Sequence, residues 1–158
     1  MQILSVKESR NSFKINNYFL VPKDPTNSDF KKIQIWISQG GVVEAYDSLP
    51  DEKIEKLAEI KSARDAFMYA DIEYNGTTFT NSLVSGSNLI AAITLASDSI
   101  SWLDSSDATV SLTISEAKEL AALISEKRGL GYFKEAALQV KVNACTTIEQ
   151  LNAIQITF

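Results

Sequence analysis

Apolar and polar residues alternate from Phe13 to Val21 around Ile15, Tyr18 and Leu20, a period of two that predicts one or two short strands about an Asn16-Asn17 turn. Val21-Pro22-Lys23-Asp24-Pro25 ends that segment, because proline has no amide donor and holds its predecessor in extended geometry. The period then changes. Asn27 or Ser28 is an N-cap, Asp29 sits at the positive end of a helix, and Phe30, Ile33, Trp36 and Ile37 recur at helical spacing until Gly40-Gly41 allows a left-handed ending. Val42, Val43 and Tyr46 predict a further strand, placed to pair with the first.

Pro50 marks a boundary. Asp51-Glu52 opens a second helix with Ile54, Leu57, Ile60, Ala63 and Phe67 along one side. Asn75-Gly76 is the strongest hairpin signal in the chain, since both central positions of that turn require positive φ. A third helix is expected from about Ser82 to Ala96, with Leu83, Leu89, Ile90 and Ile93 buried. Ser99 to Leu103 and Thr109 to Thr113 read as a second hairpin turning at Asp104-Ser105-Ser106-Asp107. After Ser115-Glu116 a long helical pattern carries Leu120, Leu123, Ile124, Phe133, Ala137, Val140 and Ala144. Gly129 and Gly131 predict a bend or break in it, each costing about 1 kcal/mol relative to alanine. Trp102, Leu120, Leu123, Phe133 and Val140 are expected to share one core, and Thr147 to cap a short last helix.

These elements predict an α+β fold: a small strand-helix-strand unit over residues 1–49, then a domain over 50–158 in which two short hairpins pack on three principal helices. With 158 residues, 45% of them hydrophobic and 22% charged, the chain has the composition of a globular protein and not of a disordered one. Leu89 to Ala96, among the longest apolar runs, is too short to cross a bilayer, so no membrane insertion is expected. Met1-Gln2-Ile3-Leu4-Ser5 lacks the features of a secretory signal, and synthesis in a cytoplasm is expected. Cys145, the single cysteine, reads as a small core residue.

Charge narrows the function. The net charge is −5, and it falls in the second part, because residues 1 to 50 hold six basic and five acidic side chains and the rest hold nine and fifteen. No lysine or arginine occurs between Asp65 and Lys118, and no clustered basic face appears elsewhere, so a nucleic-acid partner is not expected. The absence of histidine removes the usual serine and cysteine triads and most zinc sites. Glu55/Glu59 and Glu116/Glu119 share helix faces as solvated charges would, and Gly129-Leu130-Gly131 lacks the setting of a phosphate loop. No catalytic residue, cofactor or metal is expected. Asp98, Asp104 and Asp107 could gather around calcium, but their spacing matches no calcium loop, and a turn accounts for Asp104 to Asp107. Trp102 is either a core residue or a platform for a sugar or a partner.

One ordered set of segments resembles a known family: Arg64-Asp65, Tyr74-Asn75-Gly76-Thr77-Thr78-Phe79, Asn88-Leu89-Ile90, Ile100-Ser101-Trp102, Val110-Ser111-Leu112-Thr113, and Cys145-Thr146-Thr147-Ile148-Glu149-Gln150-Leu151. Over about residues 52 to 155 it is similar to an uncharacterised domain of phage and prophage tail proteins. Tyr18-Phe19-Leu20-Val21-Pro22, Asn27-Ser28-Asp29-Phe30 and Trp36-Ile37-Ser38-Gln39-Gly40-Gly41 resemble the leader that precedes it in such proteins. The resemblance implies a structural component of a virion tail, made in the bacterial cytoplasm, that contacts fibre or baseplate proteins, with the host surface as a further candidate contact. An assembly factor absent from the finished particle is the alternative. The family brings no established catalytic residues. Phe30, Trp36 and Tyr46, in a nearly neutral segment of about fifty residues that is too small to bury a core of its own, are the expected partner-binding residues.

Overall fold

The computed structural model describes residues 2–158, and its chain divides into two compact units, one ending at Glu52 and one running from Lys53 to Phe158. The fold is α+β: an N-terminal strand region precedes a helical body that carries small sheets.

In the first unit, β1 (Val6–Glu8), β2 (Ser12–Ile15), β3 (Phe19–Pro22) and β4 (Val43–Glu44) form one sheet in the order β3-β2-β1-β4, with α1 (Ser28–Ser38) between β3 and β4. Asn16 (φ 50°) and Asn17 (φ 65°) are the central residues of the turn that joins β2 to β3, closed by the Tyr18 amide on the Ile15 carbonyl at 3.0 Å, and asparagine tolerates that left-handed geometry. The register pairs Phe13 with Val21 and Ile15 with Phe19. The Asn27 side chain accepts from the amides of Asp29 (2.9 Å) and Phe30 (3.1 Å), and Gly40 (φ 93°) closes the other end of α1. Val6, Phe13, Ile15, Val21 and Ile33 are buried together, so this unit has a core of its own, contrary to the expectation from its size, because sheet and helix close on each other with Phe30 and Trp36 packed at the margin. Two further expectations change here. The strand after α1 pairs in parallel with β1, and not with the Phe13 to Val21 segment. β1 itself was not foreseen, because Val6 is its only buried residue and stands beside Lys7 and Glu8, too short a pattern to show a period.

The second unit contains most of α2 (Leu49–Tyr69), the hairpin β5 (Ile72–Tyr74) and β6 (Thr77–Phe79), α3 (Leu83–Leu95), the hairpin β7 (Ser99–Leu103) and β8 (Thr109–Thr113), α4 (Ile114–Ala144) and α5 (Ile148–Asn152). Asn75 (φ 51°) and Gly76 (φ 75°) turn the first hairpin. Capping boxes start α3 (Ser82 with Ser85) and α4 (Thr113 with Glu116), and Thr147 caps α5. Ile72, Tyr74, Phe79, Leu89, Ile100, Leu112, Ala117, Leu120 and Ile124 form the core, against which Trp102 and Ile93 pack half-buried. On α3 only Leu89 of the expected stripe is fully buried, whereas Leu83 and Ile90 are exposed.

α4 departs most from expectation. It runs unbroken through both glycines over 31 residues. Its buried positions are Ala117, Leu120, Ile124, Gly131, Glu135, Leu138 and Val142, each three, four or seven residues after the last, which is one straight helical stripe. Gly131 lies on that stripe because Met68 closes over it: a Cβ there would run into Met68 Cγ and come within 2.9 Å of its sulfur. The close approach offsets the propensity cost of glycine, so no bend is needed. Glu135 takes the next buried position by pairing with Arg64. Leu120 and Trp102 therefore meet the core as expected, while Leu123, Phe133 (72% exposed) and Val140 (70% exposed) do not.

Candidate functional site

The three aromatics expected to bind a partner are occupied within their own unit. Phe30 stacks obliquely on Phe13, with ring centroids 6.0 Å apart. Trp36 is half-buried, and its indole lies over Gly41 so closely that no side chain would fit there. The Tyr46 hydroxyl donates to the Asp51 carboxylate, and this bond holds its pKa above the usual phenol value. The residue lines a charged groove of about 450 Å³ together with Lys7, Glu8, Lys14 and Asp51.

The exposed apolar groups of the unit lie elsewhere. β3 ends the sheet, and its outer edge has no strand partner among the described residues. Along it Phe19 is 58% and Leu20 68% exposed, and Tyr18, in the turn just before it, is 85% exposed. Phe19 stands opposite the fully buried Ile15 on the core face, and Leu20 stands opposite Lys14 on the other face. Both faces of one edge strand therefore present bulky apolar groups beside unpaired backbone, the arrangement that accepts an added strand. Pro22 limits it at the far end by removing one donor. The sequence read these residues as a strand without marking them as surface. The signal was present in their order, since consecutive large apolar residues along a strand point to alternate faces and cannot all face one core.

A second apolar surface lies on α4. Leu130, Phe133, Ala137, Val140 and Ala144 follow one another at intervals of three and four and are all exposed, on the side of the helix away from its buried stripe.

The remaining polar chemistry is structural. Asp104 Oδ1 accepts from the Ser106 hydroxyl (2.7 Å), the Ser106 amide (2.8 Å) and the Ala108 amide (2.9 Å), which holds its carboxyl below the usual aspartate pKa. Asp107 (φ 63°) completes that turn. Among the described residues no group of three or more potential ligands is placed to hold a metal ion. Asp98 is exposed and contributes its backbone carbonyl to the Ile114 amide. Arg64 donates to Glu135 (2.6 Å) and, through Nε and Nη2, to Asp65 (2.9 and 2.6 Å). Tyr74 donates to Glu119 at 2.7 Å, which raises the phenol pKa. The Arg64–Glu135 pair thus ties α2 to α4, and the Tyr74–Glu119 pair ties β5 to α4. No helix among the described residues is long and apolar enough to cross a membrane.

No curated protein and no solved structure matches the chain. The profile of a family described as a domain of unknown function (DUF4376) matches residues 51–156, covering nearly all of the second unit and the start of α2. The chain belongs to that family.

Proposed function

We propose that this chain is a tail-associated structural protein of a phage or prophage that works by protein contact and performs no catalysis. The proposal joins the resemblance of its ordered segments to tail proteins with one observation, the edge of β3 without a strand partner among the described residues, carrying exposed Phe19 and Leu20 next to exposed Tyr18. An edge of this kind is a hazard in an isolated protein and an asset in one that is built into an assembly. The chain has no histidine, and two hydroxyls that meet carboxylates, Ser106 on Asp104 and Thr113 on Glu116 (2.7 Å each), are spent in a turn and a helix cap, which favours the non-catalytic reading. Phe30 and Trp36 serve the reading by packing α1 against the core of the sheet, while Tyr46 is held by Asp51.

Quantitative mass spectrometry of purified particles tests it. The protein is expected at a fixed stoichiometry relative to the other tail proteins. Presence in infected cells together with absence from particles would instead assign it to tail-fibre assembly. Hydrolysis of host polysaccharide or peptidoglycan, abolished by changing one carboxylate, would overturn the non-catalytic reading.

A further inference from the structure

A cleft of about 420 Å³ opens in the second unit where the first half of α3 faces the β7–β8 hairpin, with Trp102 in its wall. That volume falls within the range of small-ligand sites, about 300–1,000 Å³. The hairpin register explains why the indole is available. Ile100 and Leu112 are cross-strand partners and take the fully buried places, and Trp102 with Val110 comes one inward-facing pair closer to the turn, at the margin of the core. Trp102 is half-buried, and its indole N–H makes no hydrogen bond among the described residues.

The polar groups around it are unusually free. Asn88 and Asp107 line the cleft, are exposed, and make no side-chain hydrogen bond among the described residues. Asp104 engages only Oδ1 in its turn, which leaves Oδ2 available. Thr80 and Ser101 add hydroxyls at the rim. An aromatic ring flanked by one amide and two carboxylates offers a flat apolar surface and several acceptors with one pair of donors. A pyranose presents the complementary surface, an apolar face of C–H groups bordered by hydroxyls that donate and accept. Charge selects among sugars. Asp104 and Asp107 repel carboxylated, sulfated or phosphorylated rings, and among the described residues no lysine or arginine lines the cleft to hold them.

We propose that this cleft is a binding site for neutral saccharides, with the sugar ring stacked on Trp102 and its hydroxyls bonded to Asn88, Asp104 and Asp107. The site belongs to the second unit, whereas β3 belongs to the first, and it does not depend on the tail reading. Flat aromatic ligands would also stack on the indole, but would leave the carboxylates without donors.

The test uses the full chain carrying Trp36→Phe, so that Trp102 is the sole source of indole emission, and titrates it with neutral trisaccharides built of glucose, galactose or N-acetylglucosamine. At least one should give a saturable change, and the trisaccharide ending in sialic acid should give none. Asn88→Ala and Asp107→Asn should each weaken binding about three- to tenfold, the worth of one hydrogen bond, with the melting temperature held. Saturation-transfer NMR on the unmodified protein repeats the measurement without relying on the Trp36 substitution. No saturable response to any neutral sugar up to about 10 mM, the weak end of useful affinity, would overturn the proposal. Binding left unchanged by both substitutions, or binding of adenosine and indole but of no sugar, would overturn it equally.

Discussion

Replacing Arg64 and Glu135 by methionine, singly and together, tests how the buried stripe of α4 is held. The pair is well shielded, with side-chain exposures of 12% and 11%, and its atoms are 2.6 Å apart. The two partners are not equivalent. If Glu135 is removed, Arg64 keeps Asp65 on two of its nitrogens, at 2.9 and 2.6 Å, and its guanidinium stays 5.2 Å from the Tyr132 ring. The loss is then one charge-assisted hydrogen bond, about 1.5–3 kcal/mol. If Arg64 is removed, Glu135 keeps only the Gln139 amide at 3.1 Å and remains a buried carboxylate without a cation, which costs about 3–5 kcal/mol. Removing both leaves an apolar contact of similar volume and should fall within about 1 kcal/mol of the parent, because replacing a buried pair by packed hydrophobic groups is commonly neutral. Urea denaturation followed by far-ultraviolet circular dichroism reads all four proteins and gives the coupling energy directly. A Glu135→Met cost equal to or above that of Arg64→Met, or a double substitution equal to the sum of the singles, would refute this account of the contact.

Three further outcomes follow from the same geometry. Leu120→Ala should cost about 2–5 kcal/mol, whereas Phe133→Ala should leave the urea midpoint nearly unchanged, and comparable losses would mean that the buried face of α4 is misassigned. Gly131→Ala should destabilise despite the better helix propensity of alanine, since its Cβ meets Met68, and Gly129→Ala, which meets nothing within 4 Å, should stabilise by up to about 1 kcal/mol; thermal melts of the two variants decide the sign. Tyr74 has its pKa raised by the bond to Glu119, so its contribution is complete below the ordinary phenol value of about 10 and is lost as pH rises through the folded value. The parent should therefore lose melting temperature in that alkaline window more steeply than Tyr74→Phe, and parallel curves would contradict the linkage.

Elements fixed by local chemistry were legible in the sequence. Asn16-Asn17 and Asn75-Gly76 announce turns because few other residues accept positive φ, and Asn27, Ser82 and Thr147 announce helix starts because their side chains reach the free amides. Choices made by packing were not. On α4 the apolar count favours the face of Phe133 and Val140, yet the helix buries the face of Gly131 and Glu135, since that face lets Met68 approach and gives Arg64 its partner. Neither reason is visible along α4 alone. The same limit governs the candidate site. Phe30 and Trp36 attract notice by their size and are taken up by the local core, whereas the exposure of Tyr18, Phe19 and Leu20 follows from the position of β3 at the end of the sheet. Sheet order is set by pairing with β1, a strand that its own residues barely signal.

The most direct test of the central claim is incorporation into tail particles of two full-length variants, Leu20→Glu on the edge of β3 and Phe133→Glu on the outer face of α4. Both residues are exposed, so both variants should fold with the parent circular dichroism spectrum. Attachment through the β3 edge predicts that Leu20→Glu lowers the amount per particle by about tenfold or more, a loss of at least about 1.4 kcal/mol of contact, while Phe133→Glu incorporates at the parent level. Full incorporation of Leu20→Glu, with or without a loss for Phe133→Glu, would contradict the claim that β3 carries the attachment.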